Sequence, residues 1–270
     1  MIVQTTHADE PNKVIPMCDH LDLVAQFGFG FGNAEFETLH PRELMEFAIA
    51  NHDAGWNPVD EALGIDPETH LPRNLLRTPL EELVKTGPGS ADFNEAHHPF
   101  CGLMISMHAS GLLNGRYGLS DKIVVDVLPE SAQPMFKAML DTEAKRQKRL
   151  KDHLSADPNT SDWVEEKMLF HNYKALQFFD TLGLYFCMDH PSKREVSTFL
   201  NVPRSIGDDV TVTVTPIDNN TYKVSPFPFS SDPFVITLPG TLVEPDPSIT
   251  TASAALANGK SNTETITLIS

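Results

Sequence analysis

A chain of 270 residues can bury a full core as one large domain or two small ones. Its formal net charge of −17 argues against nucleic acid and anionic membrane surfaces, which need a basic face. The same charge disfavours a highly phosphorylated substrate unless metal ions supply positive charge locally.

No apolar run approaches bilayer-spanning length. The first ten residues carry neither the basic nor the apolar region of a signal peptide. Three widely spaced cysteines, Cys18, Cys101 and Cys187, suit reduced thiols better than a disulfide framework. These features point to the cytoplasm, with no nucleic-acid or membrane partner. They leave the oligomeric state open.

In chain order, residues 2–5 and 14–17 read as a short hairpin around the turn-rich segment Ala8-Asp9-Glu10-Pro11-Asn12. A helix is expected over 19–27, capped by Asp19 and broken by Phe27-Gly28-Phe29-Gly30-Phe31-Gly32. That run lacks the Lys-Ser/Thr of a phosphate loop and reads as a flexible wall beside a pocket or a plain loop. The next helix starts near Pro41 and carries Met45, Ala48, Ile49, His52 and Trp56 at near-helical spacing. Residues 57–96 read as loop-rich, punctuated by Pro58, Pro67, Pro72, Pro79 and Pro88.

A third helix is predicted over 98–113, with His108 among Met104, Met107 and Leu112. A long charged helix over 130–153 follows, its Lys145-Arg146-Lys148-Arg149-Lys151 cluster read as a solvated face. A final helix spans 163–188, with Asp180 inside an apolar run. From about Val210 the hydrophobic period becomes two. Strands are expected at 211–215, 222–224 and 234–238, pairing with the N-terminal hairpin into one small antiparallel sheet. The tail, 244–270, reads as loosely attached or disordered, with 263–269 as a candidate strand.

The most informative feature is His52-Asp53 at the end of an apolar helical stretch. Burying an ionised carboxylate costs several kcal/mol unless something positive meets it. A metal ion is the usual compensation, and imidazole with carboxylate is a common ligand pair. The structural alternative is a helix-end Asp cap beside a hydrogen-bonded core histidine. His20 and Asp180 place two further ligand types on separate predicted helices.

The order His20…His52-Asp53…Asp180 across helical sequence resembles the HD-domain superfamily of metal-dependent enzymes. The segments Asn51-His52-Asp53-Ala54-Gly55 and Phe179-Asp180-Thr181-Leu182-Gly183-Leu184 carry that resemblance. Cys18-Asp19-His20, His98-Pro99-Phe100, Ser106-Met107-His108 and Ser225-Pro226-Phe227-Pro228-Phe229 extend it. They point to an uncharacterised, mostly bacterial HD-like family of unknown function, over about residues 1–243.

The resemblance implies a mainly α fold, an HD-type helical bundle forming a single domain over 1–243. The small sheet from residues 1–17 and 210–243 is attached to it. It also implies metal ligation by His20, His52, Asp53 and Asp180. His108 and His98 are added because members with two extra histidines hold two metals, with Asp53 as bridge. Ten helical residues span about 15 Å, so His98 joins only by bending back as a cap, and His97 is its competitor. Many members carry a Lys or another polar residue three positions after the Asp; here that position is Trp56. Arg42, Arg73, Arg77 and Arg116 are the candidate substitute cations, with Trp56 and Arg116 as the catalytic candidates. Trp56, the 27–31 segment and Cys101 are candidates to line the pocket.

The leading expectation is a dinuclear non-haem iron oxygenase acting on a small organic molecule, with manganese, zinc or nickel as alternative metals. A metal-dependent phosphohydrolase using metal-activated water is the second reading. A degenerate HD scaffold serving as a binding module is the third.

Overall fold

The computed structural model describes residues 1–6, 10–62 and 64–270. Ala8 and Asp9 of the expected N-terminal turn lie outside the described residues. The chain opens with β1 (Ile2–Val3) and β2 (Asn12–Ile15), followed by α1 (Met17–Gly30), α2 (Arg42–Ala50) and α3 (Asn57–Ala62). Next come α4 (Leu80–His97), α5 (Pro99–Leu113), α6 (Val124–Val127), α7 (Gln133–Ser155) and α8 (Glu166–Met188). Then follow β3 (Ser197–Ser205), β4 (Asp208–Pro216), β5 (Thr221–Ser225), β6 (Phe234–Leu238) and β7 (Thr241–Val243). The chain ends with α9 (Ala252–Asn258), β8 (Lys260–Ser261) and β9 (Glu264–Ile269).

A mainly α bundle with one small sheet is not what forms. Helix accounts for 51% and strand for 18%, and the strands make two sheets, the five-stranded one curled into a half-barrel. One sheet has the order β1-β2-β7-β8, and the other β3-β4-β5-β9-β6. The expected continuous pairing splits at Pro239-Gly240. There β6 ends against β9, and β7 leaves to pair with β2 of the N-terminal hairpin. Lys13 fastens the junction by donating to the Leu238 carbonyl at 2.8 Å.

The 244–270 tail is not loose either: β9 sits inside the larger sheet, parallel to β5 and antiparallel to β6. Its alternation buries Ile266 and Leu268 and turns Thr265 and Thr267 away. Those two residues join Val212, Val214, Tyr222, Val224, Ile236 and Leu238 in the same core as Phe178, Leu182 and Phe186 of α8. The half-barrel therefore packs on α8, and α1 meets it at β6, where Gln26 donates to the Thr237 carbonyl at 2.9 Å.

Two helices depart from expectation. The Phe27–Gly32 run does not break α1, which continues to Gly30. Phe27 and Phe31, four residues apart, are both buried. Gly30 lies so close to the Phe234 ring that an added Cβ would fall 2.4 Å from it, so the glycine serves close approach to β6 and not a turn. The supposedly loop-rich stretch up to residue 96 contains α4, which tolerates Pro88 in its interior. Packing supplies what propensity does not. Arg146 of α7 pairs with Asp92 and Glu95 of α4, and Arg149 also pairs with Glu95. Part of the basic cluster thus docks two helices together. Buried continuously from Phe100 to Gly111, α5 is a central helix, apolar nearly all round.

Candidate metal centre

Four separate elements deliver the ligand types. On α1, His20 lies on the face that also buries Leu23, Val24 and Phe27. His52 and Asp53 sit in the turn after α2, which stops at Ala50. That turn is held from α4: Asn94 donates to the Asn51 carbonyl at 2.8 Å, and Ser90 Oγ accepts from Gly55 N–H at 2.9 Å. His108 comes from buried α5 and Asp180 from α8. On α8, Gly183 permits the approach of α1: a Cβ there would lie 2.6 Å from Val24 and 3.0 Å from the His20 ring.

His20 Nε2 lies 3.4 Å and His52 Nε2 3.6 Å from Asp180 Oδ1, and His52 Nε2 lies 3.7 Å from Asp53 Oδ2. His20, His52 and Asp180 form one group able to hold an ion, and His52, Asp53 and His108 another, each with ligand atoms within 4.8 Å. The Nε2 atoms of His20, His52 and His108 are all buried without a hydrogen-bond partner. Leaving such atoms unsatisfied costs about 1–3 kcal/mol each. Two donors about 2.1 Å from one cation stand roughly 3 to 3.5 Å apart, close to the separations found. The residues therefore fit a metal ion.

Each imidazole is oriented through its other nitrogen. His52 Nδ1–H donates to the Ile49 carbonyl at 2.8 Å, so that Nε2 faces the cluster and offers its lone pair once the ring is neutral. His20 Nδ1 lies 3.6 Å from Cys187 Sγ. His108 Nδ1 meets the Gln177 side-chain amide at 2.6 Å. Burial works against a charged His52, but Asp53 and Asp180 outweigh it and push the imidazole up to about 9. Burial instead lowers His108 to about 4. The Asp180 carboxyl, although burial opposes its ionisation, is held well below the usual carboxylate range by its contacts with His20 and His52.

The cluster floors a cavity of about 370 Å³ lined by His52, Asp53, His108 and Asp180 at one end. Met17, Trp56, Leu83, Leu112, Phe136 and Leu184 help form its walls. Among the described residues no Lys or Arg lines it. Trp56 forms part of the wall and is buried in the core as well. Arg116 does not; it lines a second cavity beside Gln177. Arg42 is paired with Glu46, and Arg77 with Asp66 and Glu68. Arg73 is outside the chamber lining.

His98 does not join the cluster. It caps α5, its Nδ1 accepting from Phe100 N–H at 3.0 Å. His97 stacks on Phe47 with ring centroids 3.6 Å apart. Cys101 is buried away from the chamber against the Leu44 carbonyl. Phe27 and Phe31 belong to the core.

Gln177, Ser90 and Asn94 were not singled out from sequence. Gln177 lies one helical turn before Asp180, a spacing that places both on one face. Nothing local marks Ser90 or Asn94, whose role depends on α4 crossing the His-Asp turn.

Comparison with curated proteins and with solved structures returns no match. A family model does match, over residues 1–245: the chain belongs to the family described as "Protein of unknown function (DUF3891)".

Proposed function

We propose that this protein is a metal-dependent enzyme that acts on a small, largely apolar organic molecule, with iron and dioxygen as the favoured chemistry. One observation carries the reading. Three buried imidazole Nε2 atoms without a hydrogen-bond partner, those of His20, His52 and His108, cluster with Asp53 and Asp180, and all of these residues but His20 line an apolar cavity. The cavity volume lies in the range of small-molecule sites, which run from roughly 300 to 1,000 Å³.

Three imidazoles with one or two carboxylates suit iron, with manganese, zinc and nickel as alternatives. The arrangement favours one ion over two, because both candidate groups need His52, whose Nδ1 is committed to Ile49. His98, the expected extra ligand for a second ion, is engaged elsewhere. When bound, the metal supplies Lewis acidity and an open position for substrate or dioxygen. The chain's own residues do the rest. Trp56, Leu83, Leu112, Phe136 and Leu184 hold an apolar body and exclude water. Asp53, partly exposed at the cavity floor, is placed to accept a proton at Oδ2 from a group bound beside it. The phosphohydrolase reading is weaker, since no cation lines the chamber to meet a phosphoryl group.

Among the described residues no helix is long and apolar enough to cross a membrane. All three cysteines are free thiols, which suits a reducing, cytoplasmic location.

The test is elemental analysis of protein produced with defined metals, then dioxygen uptake by the anaerobically iron-loaded chain against a panel of small apolar organics. One iron per chain and substrate-dependent uptake support the proposal. Failure to bind Fe(II), Mn(II), Zn(II) or Ni(II) by calorimetry overturns it. Aryl-phosphate turnover without oxygen uptake would replace it with the hydrolytic reading.

A further inference from the structure

The second cavity lies on the other side of Gln177 from His108. It measures about 330 Å³ and is lined by Arg116, Lys174, Gln177, Thr181, Thr198 and Asn201, with Phe178 and Phe199 among its apolar surfaces. Among the described residues no acidic side chain lines it. That is notable in a chain with 37 acidic and 20 basic residues. Lys174 is offset by an ion pair with Asp209. Arg116 has no ion pair among the described residues, and its charge is felt at His108.

Its backbone is unusual as well. Gly115, Arg116, Tyr117 and Gly118 have φ of 75°, 53°, 56° and 86°, a short left-handed turn. For residues other than glycine such a conformation costs roughly 1–2 kcal/mol each, and strain of this kind persists where the surroundings over-determine it. Here they do: Tyr117 donates to Gln147 at 3.1 Å and packs edge-on against Tyr173, while Asn201 donates to the Leu119 carbonyl at 3.3 Å. Asn201 itself lies at φ 56°, in the irregular stretch of β3 where the register with β4 shifts. Two irregular segments, one after α5 and one in β3, are thus locked together around a cationic cavity.

Gln177 supplies the second polar group. It is buried, and its Oε1 has no partner as the amide is oriented. If His108 Nε2 faces a metal, Nδ1 carries the proton and must donate to Gln177 Oε1. The two ends of an amide are interchangeable in assignment, so that turn of the amide leaves a buried NH₂ without a partner in the cavity wall. Arg116 and Gln177 then line one space with no competing carboxylate among the described residues.

We propose that this cavity is a binding site for a small organic anion, one carboxylate or phosphoryl group on an apolar or aromatic body. The anionic group meets the Arg116 guanidinium and the Gln177 amide, and the body lies against Phe178 and Phe199. The Gln177 part rests on the metal reading of His108, whereas the Arg116 charge does not. The site is therefore tested on metal-free protein, so that either reading can fail alone.

The probes are benzoate and inorganic phosphate, titrated by calorimetry into the full chain. Saturable binding of either, tighter than about 1 mM, is expected. Stronger binding of benzoate identifies a carboxylate with an aromatic body, and stronger binding of phosphate a phosphoryl group. Arg116→Asn should weaken binding at least about tenfold, a loss of 1.4 kcal/mol or more. Asn tolerates the left-handed conformation, and an unchanged thermal unfolding midpoint will show the fold intact. Arg116→Lys should retain part of the affinity. Binding of equal strength in Arg116→Asn, or none by either probe, overturns the proposal.

Discussion

Two buried charged clusters flank α8, and they are built on opposite principles. At one, Arg194 spends its donors completely: on Glu264 through both terminal nitrogens, on Tyr222 Oη at 2.7 Å, and on the carbonyls of Phe186 and Asp189 at 2.8 and 3.1 Å. At the other, Asp180 faces three imidazoles whose Nε2 atoms have no hydrogen-bond partner, at separations of 3.4 and 3.6 Å to two of them. Both stand in low-dielectric surroundings, where unpaired polar groups are costly. The first cluster is closed within the chain. The second leaves imidazole nitrogens without a hydrogen-bond partner among the described residues, an arrangement that fits the proposed metal site, whereas the first is a clamp between α8 and β9.

The largest effect that would break this contrast belongs to the clamp. Arg194→Met leaves the Glu264 carboxylate with only the Lys13 ammonium, 3.9 Å away, and should cost about 3–5 kcal/mol in denaturant unfolding. The double variant Arg194→Met, Glu264→Leu should recover part of that loss, because the apolar pair needs no partner while Lys13 keeps the Leu238 carbonyl. In the remaining folded protein metal affinity should be unchanged. If it falls with stability, the two clusters are not separate.

Asp180→Asn tests the other side. It should lower metal affinity by more than about 100-fold, beyond what loss of an outer-sphere partner typically costs. Unfolding of the metal-free chain should shift as well, because Asp180 helps hold the charged His52, so the discriminating reading is metal affinity, lost here and kept in Arg194→Met. Metal affinity unchanged in Asp180→Asn would make Asp180 a structural carboxylate and remove the distinction.

The clamp was invisible in the sequence. Arg194 and Glu264 are 70 residues apart, and Glu264 lies in a tail whose Ser/Thr/Ala composition suggested disorder. The strand there is nonetheless written in the alternation of Ile266 and Leu268. What composition could not show is that β5 and β6 leave a slot between them. The gathering of the histidines and Asp180 was more legible. His20, His52, His108 and Asp180 each interrupt an apolar helical pattern, a local anomaly that survives without knowledge of the fold. His98 misled because a histidine preceding Pro99 is also a good helix cap, and that local role prevailed. The helix α4 was hidden by Pro88 and two neighbouring glycines, features that favour loops until ion pairs with α7 and packing on Gly55 outweigh them.

A smaller effect sharpens the link between backbone packing and ligand geometry. Gly183→Ala adds a Cβ 2.6 Å from Val24 and 3.0 Å from the His20 ring. Overpacking of this kind costs about 1–3 kcal/mol, and here it acts on His20. The expected signature is a metal affinity reduced about tenfold, measured by calorimetry, with the Arg194 clamp unaffected. Stability lost without any change in metal affinity would detach α1 from the site.

The mildest prediction uses pH. His52 rests at about 9 in the metal-free fold against 6.5 for a free imidazole, so its charge stabilises that fold fully below pH 6.5 and is lost as pH rises through 9. His108 runs the other way. Held neutral down to about 4, it favours unfolding as pH falls from 6.5 towards 4, where the unfolded chain takes up the proton first. A metal ion must expel the His52 proton to bind, so affinity should climb about tenfold per pH unit from neutrality up to pH 9 and then level off. Proton release measured in two buffers of different ionisation enthalpy should approach one per ion at pH 7. At the Arg194 clamp, where burial opposes the charge but Glu264 and Tyr222 raise the guanidinium still further, no titration occurs over this range. A flat affinity profile between pH 7 and 9 would mean that His52 does not ligate, and with it would go the reason for treating the two clusters as different in kind.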